Sequence, residues 1–226
     1  LELALACKYR VLSTNEKTKL AFPEIKLGIF PGFAGTIRTP KLIGLVNALD
    51  LILTGKTVDA KKAYKINLAD AIFDDAQKEF MLEDFVKNAI NGNLGSRKDF
   101  YLLNYKPFNE IIFKRTLKNL EDKVNPEFKA PFVALEVIKN TINQKDLETA
   151  INIEATEFSK IAITKESKNL IKLFFLFEKL NKNYEKTPNP ISNVAVFGNG
   201  VMGKGIIWLF SKYLKGNNPF KYSGLL

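Results

Sequence analysis

The chain has 226 residues, of which 46% are hydrophobic and 26% are charged, and its formal net charge at neutral pH is +10. This length allows one or two domains, and the composition is typical of a globular protein rather than a disordered or fibrous one. The absence of histidine excludes serine–histidine and cysteine–histidine nucleophilic sites and most zinc sites. Acid–base chemistry must therefore use Glu, Asp, Lys or Tyr, and we expect no metal.

The first third of the chain predicts short elements around a turn-rich segment. Helices are predicted over residues 1–10, 39–53 and 60–65. Short strands are predicted over residues 9–13 and 68–73. Gly55 follows the second predicted helix and is expected to end it, and Asp59 is expected to cap the third.

From residue 75 onward the pattern changes to long amphipathic helices. Apolar residues recur at helical spacing in four segments, residues 78–90, 132–142, 147–161 and 166–180. Thr164 and Glu166 predict a capped start for the last of these helices. Residues 98–124 are less regular, and Pro107 is expected to interrupt them.

The C-terminal segment begins with a predicted linker over residues 187–190 and a predicted strand over 194–197. A glycine run over residues 198–203 then leads into a helix predicted over 201–213. Gly198, Gly200 and Gly203 form a G-x-G-x-x-G pattern between the predicted strand and helix. Such glycines allow a dinucleotide pyrophosphate to approach the helix N-terminus. The acidic residue that would bind the ribose is missing, because no Asp or Glu follows Glu185. A plain glycine-rich turn is the alternative.

Two carboxylates, Glu2 and Glu24, lie in apolar segments of the first third. Desolvation and mutual repulsion would separate the pKa values of two such groups, so that one takes a proton while the other gives one. The alternative is that Glu24 caps a turn and that Glu2 lies on the surface near a frayed end. Composition by itself favours that alternative.

Three motifs surround these carboxylates in a fixed order. They are Leu1-Glu2-Leu3-Ala4-Leu5-Ala6-Cys7, Phe22-Pro23-Glu24-Ile25-Lys26-Leu27-Gly28 and Pro31-Gly32-Phe33-Ala34-Gly35-Thr36-Ile37-Arg38. Together they resemble the second half of the crotonase (enoyl-CoA hydratase) family. The resemblance continues over residues 51–60 and at Asn67-Leu68-Ala69-Asp70, where the family has Gly-Leu-Val-Asp.

Later segments resemble the bifunctional branch of this family, in the same order. Residues 130–138 and 154–177 are similar to its linker region, and residues 194–208 to the opening of its 3-hydroxyacyl-CoA dehydrogenase module. Members of this branch are alpha subunits of fatty-acid β-oxidation complexes. They hydrate 2-enoyl-CoA to 3-hydroxyacyl-CoA, which they then oxidise to 3-oxoacyl-CoA with NAD.

The resemblance implies roles for individual residues. Glu2 and Glu24 occupy the positions of the catalytic glutamates, and Gly32 that of a glycine whose N–H helps to hold the catalytic water. The implied NAD-binding residues are Gly198, Gly200, Val201, Met202 and Gly203. The chain departs from the pattern at Lys8, where the family commonly has Asp, and at Ala21 and Ala34, where it usually has glycine.

The resemblance also implies an α/β chain that is a piece of a longer protein. We expect part of a crotonase-type spiral domain over residues 1–74, a helical linker region over 75–190, and the first strand–helix unit of a Rossmann fold over 191–226. The family's oxyanion hole uses two backbone N–H groups that lie upstream of the first glutamate. Loss of these donors would lower the hydration rate severely. We therefore expect these 226 residues alone to be inactive as a hydratase.

The sequence also carries expectations about the partners of the protein and its cellular compartment. The implied substrate is an acyl-CoA thioester and the implied partner a thiolase beta subunit in a hetero-oligomer. A non-catalytic helical module that binds thiolase is an alternative. The basic charge also allows a nucleic-acid binder, but only four of the cations are Arg, which favours a solvated lysine-rich surface. One cysteine and no apolar run of membrane-spanning length predict a cytoplasmic protein without a transmembrane segment.

Overall fold

The computed structural model describes residues 1–95, 101–183, 194–198 and 200–213. The chain divides into two compact units, Leu1–Phe177 and Glu178–Leu226. Its helices are α1 Glu2–Ala6, α2 Gly35–Ile43, α3 Leu45–Thr54, α4 Ala60–Lys65, α5 Lys78–Ile90, α6 Phe108–Lys123, α7 Ala130–Thr141, α8 Leu147–Ala162, α9 Lys165–Asn183 and α10 Val201–Tyr213. Its strands are β1 Val11–Ser13, β2 Lys19–Leu20, β3 Val58–Asp59 and β4 Ala71–Phe73, and short 3-10 helices span Pro23–Leu27 and Leu102–Asn104.

The described strands form two small sheets in the first unit. Strand β1 pairs in parallel with β4, with Val11 opposite Ala71, and β2 pairs antiparallel with β3. Strand β4 is shorter than predicted, because the N–H groups of Leu68 and Ala69 bond back to the Ala63 carbonyl in a turn after α4. Asn67 opens that turn with a φ of 63°. Asn tolerates this left-handed conformation, which is consistent with its replacing the family's glycine.

The helix predicted over residues 39–53 is in fact two helices, α2 and α3. Gly44 separates them with a φ of 80° and a ψ of 157°, which favour glycine. Asn104 joins the two broken ends: its Nδ2 donates to the Pro40 carbonyl, and its Oδ1 accepts a hydrogen bond from the Leu45 N–H. The break therefore satisfies backbone groups through a side chain distant in sequence.

The helix predicted over residues 1–10 ends already at Ala6, because Cys7 is in an extended conformation. Most other predicted helix ends are confirmed within one or two residues. Asp59 accepts a hydrogen bond from the Lys62 N–H, and Thr164 Oγ1 accepts one from the Ser167 N–H. The segment expected to be irregular contains the 16-residue helix α6, which begins directly after Pro107. Proline at this boundary does not interrupt the helix, because the first N–H groups of a helix have no intrahelical acceptor.

The strand predicted over residues 194–197 is not observed, and these residues have no regular secondary structure. An extended segment becomes a strand only where a neighbouring strand supplies hydrogen bonds. Among the described strands, the pairings are β1 with β4 and β2 with β3. The helix predicted over residues 201–213 is confirmed as α10.

The main hydrophobic core of the first unit lies around α3 and α7, with the segment before α2 packed against them. Its fully buried side chains include Phe22, Phe30, Ile43, Leu45, Ile52, Val137 and Ile138. Helix α2 contacts α1, α3, α7 and α8. It is thus the element through which the N-terminal residues and the later helices are joined.

A buried cation, Arg10, fixes α1 to the rest of this unit. Its guanidinium donates to the carbonyls of Ala4, Cys7 and Leu68 and forms a salt bridge of 3.1 Å with Asp70. The Asp70 carboxylate also accepts the Arg10 N–H at 2.7 Å. Since α1 has only five residues, its backbone cannot stabilise it alone.

We predict that Arg10→Met lowers the free energy of unfolding by about 3–5 kcal/mol, because it removes the buried guanidinium that donates to three carbonyls and balances the charge of Asp70. The measurement is urea unfolding followed by circular dichroism. The matched control is Lys56→Met, which breaks an exposed ion pair with Asp50 and should cost about 0–1 kcal/mol. Equal losses in the two variants would contradict the role given to Arg10.

Candidate functional site

The site is built on the N-terminal turn of α2. The first N–H groups of a helix have no intrahelical acceptor and attract negative charge. Here four successive N–H groups, those of Phe33, Ala34, Gly35 and Thr36, all donate to carboxylates. Two glutamates from different parts of the chain share them alternately.

Glu2, from α1, takes the first and third of these donors. Its Oε1 accepts the N–H groups of Phe33 and Gly35, both at 2.8 Å. Gly35 permits this approach, because an ideal Cβ at that position would lie 2.5 Å from the same oxygen. The structure thus holds Glu2 against the turn rather than leaving it at a frayed end.

Glu154, from α8, takes the second and fourth donors. Its Oε1 accepts the Ala34 N–H at 2.6 Å, and its Oε2 accepts the Thr36 N–H at 3.2 Å and the Thr36 hydroxyl. The residue is only 1% exposed. Burial raises the pKa of Glu154, the hydrogen bonds from Thr36 and Ala34 lower it, and the nearby Glu2 raises it further.

Glu24 is the third carboxylate of this region and lies in the first turn of the 3-10 helix Pro23–Leu27. Burial raises the pKa of Glu24 above its ordinary value of 4.5, a backbone hydrogen bond opposes this, and the charge of Glu2 adds to the rise. Its Oε2 is buried and has no hydrogen-bond partner among the described residues. Such an oxygen is a position to which a bound molecule could form a hydrogen bond.

A cavity of about 460 Å³ opens beside this turn. Glu2 and Gly32 line it together with Leu3, Ala6, Phe33, Ala34, Arg38 and Ile151. Its wall is mainly apolar with few polar groups, which is typical of a small-molecule site. Among the described residues, none accepts a hydrogen bond from the Gly32 N–H. The structure thus brings two of the predicted residues, Glu2 and Gly32, to one cavity.

Helix α8 supports the loop that carries Gly32. The Phe158 ring packs edge-on against Phe30, with ring centroids 5.7 Å apart. An ideal Cβ at Gly32 would lie 2.7 Å from Phe158, so this contact requires glycine. Ala34 adopts a left-handed φ of 64°, which explains why glycine is common at this position in the family the motifs resemble.

The predicted dinucleotide site lies in the second unit. Gly198 has a φ of 104°, and an ideal Cβ at Gly203 would overlap the Gly198 carbonyl oxygen at 1.8 Å. The turn therefore depends on a glycine at the third position of the pattern. Gly200, Val201 and Met202 are exposed. Asn199 lies outside the described residues.

Sequence reasoning missed Glu154 as a site residue. Its signal is its position on the buried face of α8, which also carries Ala150 and Ile161 at helical spacing. A carboxylate on an apolar face needs partners, but the sequence does not reveal which backbone donors it meets.

The described residues contain neither a metal-binding cluster nor a membrane-spanning helix. Within the described ranges, no group of three or more His, Cys, Asp and Glu side chains is arranged to hold a metal ion. None of the helices in the part of the chain that the structure describes has the length and apolar character needed to cross a bilayer.

The raised pKa of Glu24 predicts that stability falls as pH rises above 4.5. Below 4.5 the carboxyl is protonated in both states, whereas between 4.5 and the folded pKa the unfolded chain releases its proton first, which favours unfolding. Glu24→Gln should reduce this slope in urea unfolding from about pH 4 to about pH 8. The raised pKa of Glu154 adds to this fall in stability. The lowered pKa values of Asp75, Glu110 and Asp146 affect stability at pH values below this window.

The control for this measurement is Glu16→Gln, on an exposed turn, which should keep the wild-type slope. An unchanged slope in Glu24→Gln would contradict the burial assigned to that carboxyl.

The chain is similar to known proteins over most of its length. The profile of the Enoyl-CoA hydratase/isomerase family matches residues 1–187. The chain is 38% identical over 213 residues to the fatty acid oxidation complex subunit alpha of Vibrio cholerae and 36% identical over 219 residues to that of a Psychrobacter species. These matches cover 91% and 92% of the chain, but the chain spans only 30% of the length of either relative.

The fold has a counterpart among solved structures. An enoyl-CoA hydratase from Mycobacterium avium subsp. paratuberculosis matches with a TM-score of 0.51 at 14% identity, over 77% of this chain and 57% of that one. This supports the predicted crotonase-type α/β fold. The resemblance noted from the N-terminal motifs is confirmed: the chain belongs to the enoyl-CoA hydratase/isomerase family.

Proposed function

We propose that this chain supplies the two catalytic glutamates of an enoyl-CoA hydratase of fatty-acid β-oxidation. The observation that carries the proposal is that Glu2 and Gly32 line one apolar cavity. The charge of Glu2 also contributes to the raised pKa of Glu24, whose buried Oε2 has no hydrogen-bond partner among the described residues. Because the chain spans 30% of the relatives' length, we assign the complete activity to a longer polypeptide that contains it.

The reaction adds water across the 2,3 double bond of an enoyl-CoA thioester. Glu2 takes a proton from water held by the Gly32 N–H, the water oxygen bonds to C3, the C2–C3 π bond opens, and Glu24 gives its proton to C2. Glu24 is assigned as the acid because burial raises its pKa and favours the protonated form. The two N–H groups that would stabilise the thioester oxyanion stay a prediction, as does inactivity of the 226 residues alone.

A second step would oxidise the 3-hydroxyacyl product with NAD. The proposed nucleotide-binding residues are Gly198, Gly200, Val201, Met202 and Gly203, at the start of α10. The tight approach of Gly203 to the Gly198 carbonyl is the kind of packing that the third glycine of a dinucleotide motif provides. The proposal includes the C-terminal part of a crotonase domain over residues 1–74, a helical linker region over 75–190 and the first strand–helix unit of a Rossmann fold over 191–226.

The second candidate function is binding of a thiolase beta subunit. It is favoured by a run of exposed apolar side chains on α9, namely Leu173, Phe174, Phe175, Leu176 and Phe177. The relatives are named as subunits of a complex, which agrees with a hetero-oligomer. Co-purification with the thiolase subunit tests this function, and its absence would count against it.

For the hydratase, we predict that Glu24→Gln in the full-length polypeptide lowers the hydration rate by about 10²–10⁴-fold, because the amide cannot donate the proton to C2. The measurement is the loss of the enoyl thioester's ultraviolet absorbance. Oxidation of a supplied 3-hydroxyacyl-CoA should be unchanged, and so should hydration in the exposed control Glu16→Gln. Full hydration by Glu24→Gln would refute the role of Glu24.

For the dehydrogenase step, we predict that Gly200→Val weakens NAD binding by about 10–100-fold, because the side chain would overlap the nucleotide. An ideal Cβ at Gly200 has no neighbour within 4 Å, so the variant should fold normally. Gly205→Val is the matched control, since Gly205 also has open space around it. Undiminished NAD binding by Gly200→Val in a calorimetric titration would contradict the assignment.

A further inference from the structure

We infer that Glu154 is a positioning residue of the hydratase site, which holds Glu2 in place by fixing the backbone turn of residues 33–36. This inference rests on the proposed function, because it concerns how the proposed base is oriented. It assigns a role in the reaction to a residue of α8 that the motifs around Glu2 and Glu24 do not include.

Hydrogen bonds to the two glutamates alternate along the turn of residues 33–36. Glu2 accepts from residues 33 and 35, and Glu154 accepts from residues 34 and 36. Successive N–H groups are linked by one planar peptide each, so rotation of one peptide moves its neighbours. Fixing the Ala34 and Thr36 N–H groups therefore fixes the directions of the two donors to Glu2.

The Glu2 carboxylate is oriented mainly by the turn. Among the described residues, Phe33 and Gly35 are the hydrogen-bond donors to its carboxylate. Its helix has five residues and no side-chain cap at its start. The direction of the Glu2 carboxylate within the cavity thus depends on the turn.

The burial of Glu154 favours a positioning role over direct catalysis. Glu154 is 1% exposed and does not line the cavity, whereas Ile151, one turn earlier on α8, does. The carboxylate also has three donors, two N–H groups and the Thr36 hydroxyl. Glu154 is therefore occupied by the turn and is shielded from a substrate in the cavity.

A purely structural cap is the competing explanation, and it makes a different prediction. A cap would stabilise α2, and its loss would lower activity by the same factor whether or not Glu2 is present. A positioning residue acts through Glu2, so its loss matters only while Glu2 carries its carboxylate.

The test is a double-mutant cycle in the full-length polypeptide with Glu154→Gln, Glu2→Gln and the double variant. The amide of Glu154→Gln keeps the acceptor for Ala34 but directs N–H groups toward the Thr36 N–H. We expect kcat to fall by about 10–100-fold, as for a catalytic group displaced by about 1 Å, with KM changed by less than about twofold. In the Glu2→Gln background the same change should cause no further loss.

Two further variants keep the test decisive if Glu154→Gln folds poorly. Thr36→Val removes one donor to Glu154 with little change in shape and should lower kcat several-fold, whereas Thr36→Ser keeps the hydroxyl and should restore it. The matched control is Glu157→Gln, at a half-buried glutamate of α8 that pairs with Lys160, and it should retain the wild-type kcat.

The outcomes distinguish this inference from the proposed function. If Glu2→Gln hydrates at the wild-type rate, the proposed function fails. If Glu2→Gln is impaired but Glu154→Gln lowers kcat equally in both backgrounds, only the positioning role fails. An unchanged kcat in both Glu154→Gln and Thr36→Val would also overturn it.

Discussion

The N–H groups in the N-terminal turn of α2 have no acceptors within the helix and need acceptors from elsewhere in the chain. This chain meets the requirement with two carboxylates, one from the second residue and one from α8, more than a hundred residues later. Each carboxylate in turn needs those donors, because a buried charge without partners is costly. The turn and its two glutamates therefore stabilise one another, and the candidate site exists only where α1, α2 and α8 meet.

The positions of these three helices have separate physical causes. Helix α1 is too short to hold itself, and Arg10 fixes it by binding the carbonyls at its C-terminal end and pairing with Asp70. Helix α8 is held by the packing of Phe158 on Phe30 and against Gly32. Loss of either contact would be expected to displace a carboxylate from the turn.

Local signals predicted much of the fold. Residues that act on their own neighbours, such as Asp59 as a helix cap, could be recognised directly. The break at Gly44 could not, because Asn104 satisfies it from a different part of the chain. The apolar run of residues 194–197 predicts a strand, which the structure does not show. A strand also needs a neighbouring strand to bond with, and no local pattern reveals one.

The candidate site likewise contains residues that local motifs identify and one residue that they do not. Glu2, Glu24 and Gly32 belong to short motifs and could be named from the sequence, and the structure brings Glu2 and Gly32 to one cavity. Glu154 lies in a helix whose sequence predicts only an amphipathic face. Its partners are backbone N–H groups, which have no side-chain signature.

The central claim is that Glu2, Glu24 and Gly32 surround the reacting carbons of an acyl-CoA thioester. A crystal structure of the full-length polypeptide with bound 3-hydroxyacyl-CoA tests it most directly. We expect the C3 hydroxyl to lie within about 2.7–3.2 Å of both a Glu2 oxygen and the Gly32 N–H, with Glu24 facing C2. A thioester bound away from this cavity, or a Glu24 turned away from C2, would contradict it.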